Sequence, residues 1–175
     1  MVVCSECSNE NIKAISISRC VDGDVEREQA LLETEKRQET INALADICTT
    51  IVELDIPTRE YLILKNEVLV NNVLKGKRRG IFDDGVENVV QYFIVPEMQD
   101  TMRAFFNIDT LAARLEKQDT VAADYKSKQG RWFRSRFIAK KSEGGHVTKA
   151  LFVARDITAE TEKEQHYLEQ LKAAA

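Results

Sequence analysis

Between Thr120 and Ile157 the chain forms three strand-like runs, Thr120 to Lys128, Arg131 to Lys141 and Val147 to Ile157. They are rich in β-branched and aromatic residues and bounded by turn signals, as strands are. Gly130 breaks the first pair of runs, and Glu143-Gly144-Gly145-His146 has the residues of a hairpin turn between the second pair. Strands joined this closely pair antiparallel, so the segment commits the chain to an antiparallel sheet. Side chains alternate along a strand. Trp132, Arg134, Arg136 and Ile138 therefore share one face of the middle run, and Phe133, Ser135, Phe137 and Ala139 share the other.

Upstream, Thr50 to Asp55 and Glu60 to Lys65 read as two further strands around a turn that Pro57 fixes. From Glu67 to Gln118 the period becomes helical. A short helix over Glu67 to Leu74 ends in the loop Lys75-Gly76-Lys77-Arg78-Arg79-Gly80. Asp84 is placed to cap the next helix, with Glu87 as its capping-box partner, and that helix buries Val86, Val89, Val90 and Phe93. Pro96 starts another helix that ends near Phe105-Phe106, and Asp109 caps a last one carrying Leu111 and Leu115. Five strands with helices inserted after the second predict an α+β domain, its antiparallel sheet covered by helices on one face.

Long helices flank this domain. Asp24 to Ile47 contains no glycine or proline, and its apolar positions are sparse at first and denser near Ile41, Leu44 and Ile47. The first half predicts a solvated connector and the second half a segment docked on a core. From Thr158 to the end the chain is helical again. Leu168 and Leu171 lie on a thin seam of heptad-like spacing, and the run Leu171-Lys172-Ala173-Ala174-Ala175 implies a helix that continues.

Composition removes several classes. Of 175 residues, 43% are hydrophobic and the net charge is −4, which excludes wholesale disorder and argues against a nucleic-acid platform. No apolar run is long enough for a membrane span, and the N-terminus lacks a signal-peptide pattern, so a cytoplasmic protein is expected. Cys4, Cys7 and Cys20 lack a fourth nearby ligand for zinc, and Cys48 reads as a buried structural thiol. His146 in its turn and His166 in its charged helix read as solvated, and nothing forms a catalytic constellation. The run Lys75, Lys77, Arg78 and Arg79 reads as a solvated loop.

The two ends of the chain resemble each other. Lys13 to Arg19 matches Lys149 to Arg155, and the same offset pairs Glu26 with Glu162 and Leu32 with Leu168. At that offset Met1 to Cys7 falls on the middle strand, so the first residues would form an orphan hairpin, which is marginal in water.

This order of elements resembles a PAS sensor domain over residues 40 to 158. Gly130-Arg131-Trp132 opens the fourth strand, and Asp156-Ile157-Thr158 closes the fifth before a charged helix. The resemblance implies a PAS-like five-stranded sheet between N- and C-terminal connector helices. Residues 1–23 would be the hairpin remnant of an upstream PAS-like domain and 24–47 a connector helix. Residues 48–158 would be the PAS domain and 159–175 the start of a signalling helix. Asp156, Ile157 and Thr158 would couple sheet to helix.

A ligand between sheet and helices would meet Tyr92, Phe105, Phe106 and Trp132. The stretch Glu67 to Gln118 has no cysteine for a flavin adduct and no histidine for haem, so no cofactor is expected. An unknown small-molecule ligand or a purely dimerising role remains. The implied partners are a second copy, paired through the flanking helices, and an output domain in the same chain. The terminal helix resembles connectors that lead into histidine kinase cores, which implies a sensory and dimerisation module of a bacterial two-component kinase. A diguanylate cyclase output is the alternative, and a passive protein-interaction spacer the reading from another class. On each reading the fragment itself is not an enzyme.

Overall fold

A computed structural model describes residues 23–36, 38–39, 47–141 and 144–175. It divides into two compact units, residues 1–44 and 45–175. The expected N-terminal hairpin, Cys4, Cys7 and Cys20 lie outside the described residues, as do Ile41 and Leu44 of the connector. In the first unit a helix, α1, spans residues 23–36, and Leu31 and Leu32 on it are exposed. At the start of the second unit Ile47 lies in a turn and is exposed, so the predicted docked end of the connector does not include it.

In the second unit the strands are β1 (Thr50–Asp55), β2 (Glu60–Lys65), β3 (Arg79–Ile81), β4 (Thr120–Lys126), β5 (Trp132–Lys141) and β6 (Val147–Asp156). The helices are α2 (Glu67–Asn72), α3 (Phe82–Phe93), α4 (Gln99–Phe106), α5 (Ile108–Lys117) and α6 (Thr158–Ala174), with a 3₁₀ turn at Pro96–Met98. Among the described residues the sheet has six strands in the order β3-β2-β1-β6-β5-β4, each neighbouring pair antiparallel. The expected count was five. The extra strand is the end of the basic loop, where three residues pair with β2. A run that short carries no period to read.

Helices α2 to α5 bury Val70, Val90, Met102, Leu111 and Leu115 against one face of this sheet. Rings concentrate there: Phe137 lies 5.0 Å from Phe152 and 5.2 Å from Phe105. Two expected caps are replaced. α3 begins at Phe82, directly after β3, so Asp83 and Asp84 occupy its first turn and no side chain caps it. Glu87 instead pairs with Arg103 at 2.9 Å. At α5 the cap is Asn107, whose Oδ1 accepts the Asp109 N–H at 2.9 Å. Asp109 itself meets Arg59, which also holds Asp83 at 3.0 Å. Arg59 thereby ties the β1–β2 turn to the starts of α3 and α5.

Candidate functional site

Cross-strand register creates a trough in the covered face of the sheet. Residues directly opposite one another share a face, so they form rows across the strands. One row is Val121, Phe137, Phe152, Val52 and Ile63. Another is Tyr125, Phe133 and Asp156. Between them runs a row of small side chains, Ala123, Ser135, Ala154 and Thr50. Of the small row Thr50 borders open space under the helices, together with Val52, Ile63 and Phe152 from one bulky row and Tyr125, Phe133 and Asp156 from the other. A cavity of about 300 Å³ lies there, between the sheet and α2 and α3. Val52, Ile63, Phe133 and Phe152 border it from the sheet, and Leu69, Phe82, Val86 and Val89 from the helical side. Pockets of this size and apolar character are what small-molecule sites use.

The cavity has a polar end. Thr49, Thr50, Asn66, Gln129, Arg131 and Asp156 border it there. Asn66 Nδ2 donates to Thr50 Oγ1 at 2.7 Å, while its Oδ1 caps α2 by accepting the Leu69 N–H at 2.8 Å. Asp156 ends β6 and begins the connection to α6. Its Oδ1 accepts the Thr158 N–H at 2.9 Å and the Thr158 hydroxyl at 2.6 Å. Its Oδ2 faces the guanidinium of Arg131. Burial alone would raise its pKa, but the bonds from Thr158 and the charge of Arg131 outweigh that and hold the carboxyl below its ordinary range.

Thr158 extends the connection to β5. The Trp132 N–H donates to Thr158 Oγ1 at 2.9 Å, and the Trp132 carbonyl accepts the Ile157 N–H at 2.9 Å. Ile157 is buried. The three junction residues thus fasten the first turn of α6 to the start of β5 and to the cavity wall at once.

Of the aromatic residues expected to line the cavity, Phe106 borders it. Tyr92 does not: it is 66% exposed. Val86, Val89, Val90 and Phe93 form the inward stripe of α3, and Tyr92 lies two positions from Val90, on the far side of the helix. Trp132 is on the sheet face opposite Phe133, half-buried, with the Lys126 ammonium 6.0 Å from its ring. Phe105 packs in the ring cluster on Phe106 and Phe137 and does not line the cavity. Three residues missed from the sequence matter more.

Tyr125 borders the cavity, stacked on Phe133 with centroids 5.6 Å apart. Burial pushes its phenol up to about 12, against a small opposing effect of the Ser135 hydroxyl. Ser135 is 0% exposed, and its Oγ makes no hydrogen bond of good geometry. Tyr61 also borders the cavity, in a slot made by two glycines. A Cβ at Gly80 would stand 3.1 Å from its hydroxyl and one at Gly85 3.1 Å from its Cε1. Elsewhere, Cys48 is buried, with its thiol pKa raised by burial. His146 is exposed, 3.6 Å from Glu116.

No protein-family model and no curated protein sequence matches the chain. Solved structures that it is similar to include a sensory box histidine kinase/response regulator from Burkholderia thailandensis. That match has 16% identity, covers 75% of this chain and 94% of that one, and has a TM-score of 0.49. The PAS domain of BvgS from Bordetella pertussis matches at 16% identity, 78% and 98% coverage and a TM-score of 0.46. The N-terminal domain of a diguanylate cyclase with PAS/PAC sensor from Marinobacter aquaeolei matches at 18% identity, 64% and 98% coverage and a TM-score of 0.42. The sheet order and the helices inserted between β2 and β4 give the chain a PAS-like α+β fold. Among the described residues no helix is long and apolar enough to cross a membrane.

Proposed function

We propose that the chain is a sensory module whose cavity occupant sets the position of α6, and through it an output domain. One observation carries this: Asp156 is at once part of the cavity wall and the acceptor that begins α6. A change at the cavity's polar end therefore acts directly on the first helical N–H groups, which have no partners within the helix. The output we favour is a histidine kinase core, from the resemblance of the terminal connector; a diguanylate cyclase would use a similar one. Leu168 and Leu171 are exposed on α6 and offer a seam for a second copy of the chain.

Hydrogen exchange tests the coupling. Val86→Trp fills the cavity from α3 and is expected to change the exchange rates of the amides from Thr158 to Thr161. Thr158→Val removes the link to Trp132 and should make those amides insensitive to Val86→Trp. If Val86→Trp alters protection in α3 and β6 but leaves residues 158–161 unchanged in the otherwise native chain, the coupling is wrong.

A further inference from the structure

The polar end of the cavity carries two charges that are not equivalent. Among the described residues, the charged side chains on the cavity wall are Arg131 and Asp156. Asp156 Oδ1 already accepts two hydrogen bonds from Thr158, and the carboxylate stands at the N-terminus of α6, where the helix dipole favours negative charge. Arg131 is held differently. Its side chain is 62% exposed and meets Asp156 through Nη2, whereas a guanidinium has five N–H donors in a fork that suits a second carboxylate. On the same wall the Thr50 hydroxyl and the amides of Asn66 and Gln129 can supply further donors. Away from this end the walls are apolar: Ile63, Leu74, Phe82, Val86 and Phe106.

We propose that the cavity takes a small amphipathic carboxylic acid, its apolar part under α2 and α3 and its carboxylate on Arg131. The inference rests on the sensory reading of the same cavity and adds the chemistry of the occupant. A cavity of about 300 Å³, roughly twice the 150 Å³ of a cavity that holds benzene, accommodates on the order of ten non-hydrogen atoms. The bound acid and Asp156 then share one guanidinium. Arg131 alone therefore stands between the occupant's carboxylate and the residue that leads into α6. An amine of the same length would meet Arg131 with like charge, and an alcohol would gain a hydrogen bond without the charge.

Three probes of one chain length separate these cases: octanoate, 1-octanol and octylamine, titrated calorimetrically into the full chain. Octanoate is expected to bind at least about tenfold more tightly than 1-octanol, the effect of one charge-assisted contact, with octylamine weakest. Arg131→Gln should abolish that preference and Arg131→Lys should restore part of it. The affinity for 1-octanol, staying within about threefold across these variants, reports that the apolar walls are intact. If 1-octanol or octylamine binds as tightly as octanoate, or if Arg131→Gln keeps the preference, the occupant is not a carboxylic acid. If no probe binds while Val86→Trp still shifts exchange at α6, the acid is refuted and the sensory reading stands. If no probe binds and Val86→Trp leaves α6 unmoved, both fall.

Discussion

Replacing Tyr125 by Phe keeps the ring stacked on Phe133 and removes one titrating proton from the core. The phenol's pKa is pushed up to about 12 by burial, against about 10 in an unfolded chain. Between those values the folded protein holds a proton that the unfolded chain has released. Folding stability from this group is therefore complete below about pH 10 and is lost as pH rises toward 12. Two pH units correspond to about 3 kcal/mol in total, lost at about 1.4 kcal/mol per unit. Urea unfolding followed by Trp132 fluorescence between about pH 8 and 11.5 measures this. At neutral pH Tyr125→Phe should cost within about 1 kcal/mol, since only a hydroxyl is removed. Above pH 10 the difference should close and then reverse, because the variant lacks the alkaline loss. Cys48 and Tyr61 are common to both proteins and largely cancel in the comparison. Curves that stay parallel from pH 9 to 11.5 would show that the Tyr125 phenol ionises as easily folded as unfolded, and the buried setting assigned to it would be wrong.

Two further outcomes follow from the same region. Ser135→Ala removes a fully buried hydroxyl without a well-formed hydrogen bond, so it should raise stability by about 1 kcal/mol and move the Tyr125 alkaline transition to higher pH, both readable in the urea series. Gly85→Val should cost about 1–3 kcal/mol by overpacking, because Gly80 also lies close against the Tyr61 ring. Combining Gly85→Val with Tyr61→Leu should cost less than the sum of the two single changes, and strict additivity in calorimetric unfolding would rule out the slot.

Strands β4 to β6 were legible because the β-rich runs are long and glycines mark their ends. The α+β class was legible for a related reason: polar residues fall where a strand pattern gives way to a helix, whereas the coupling role of Asp156, Ile157 and Thr158 rests on the family resemblance. β3 was not legible, because three residues in a basic loop acquire strand geometry only from pairing with β2. That pairing also starts α3 at Phe82, before Asp84, the expected cap. The cavity was hidden for another reason. Alternation assigned Ser135 to the same face as Phe133 and Phe137, but the row of Ala123, Ser135, Ala154 and Thr50 exists only once four strands are in register. Sequence periodicity carries no information about register between distant strands, and without it the grouping of Thr50, Val52, Ile63 and Phe152 on one wall cannot be read. Trp132 and Tyr92 were misplaced on that ground.

The row of small side chains has a consequence for how such a sheet can diversify. Its four positions sit on four different strands, and each points away from the hydrogen-bonding edges that hold the strands together. Thr50 borders the cavity, and enlarging it narrows that space while the ladders, Arg59 and the α6 anchorage stay in place. On the sensory reading proposed above, selectivity for an occupant can therefore drift one methyl group at a time, independently of the ladders that fold the domain and the junction that leads to α6.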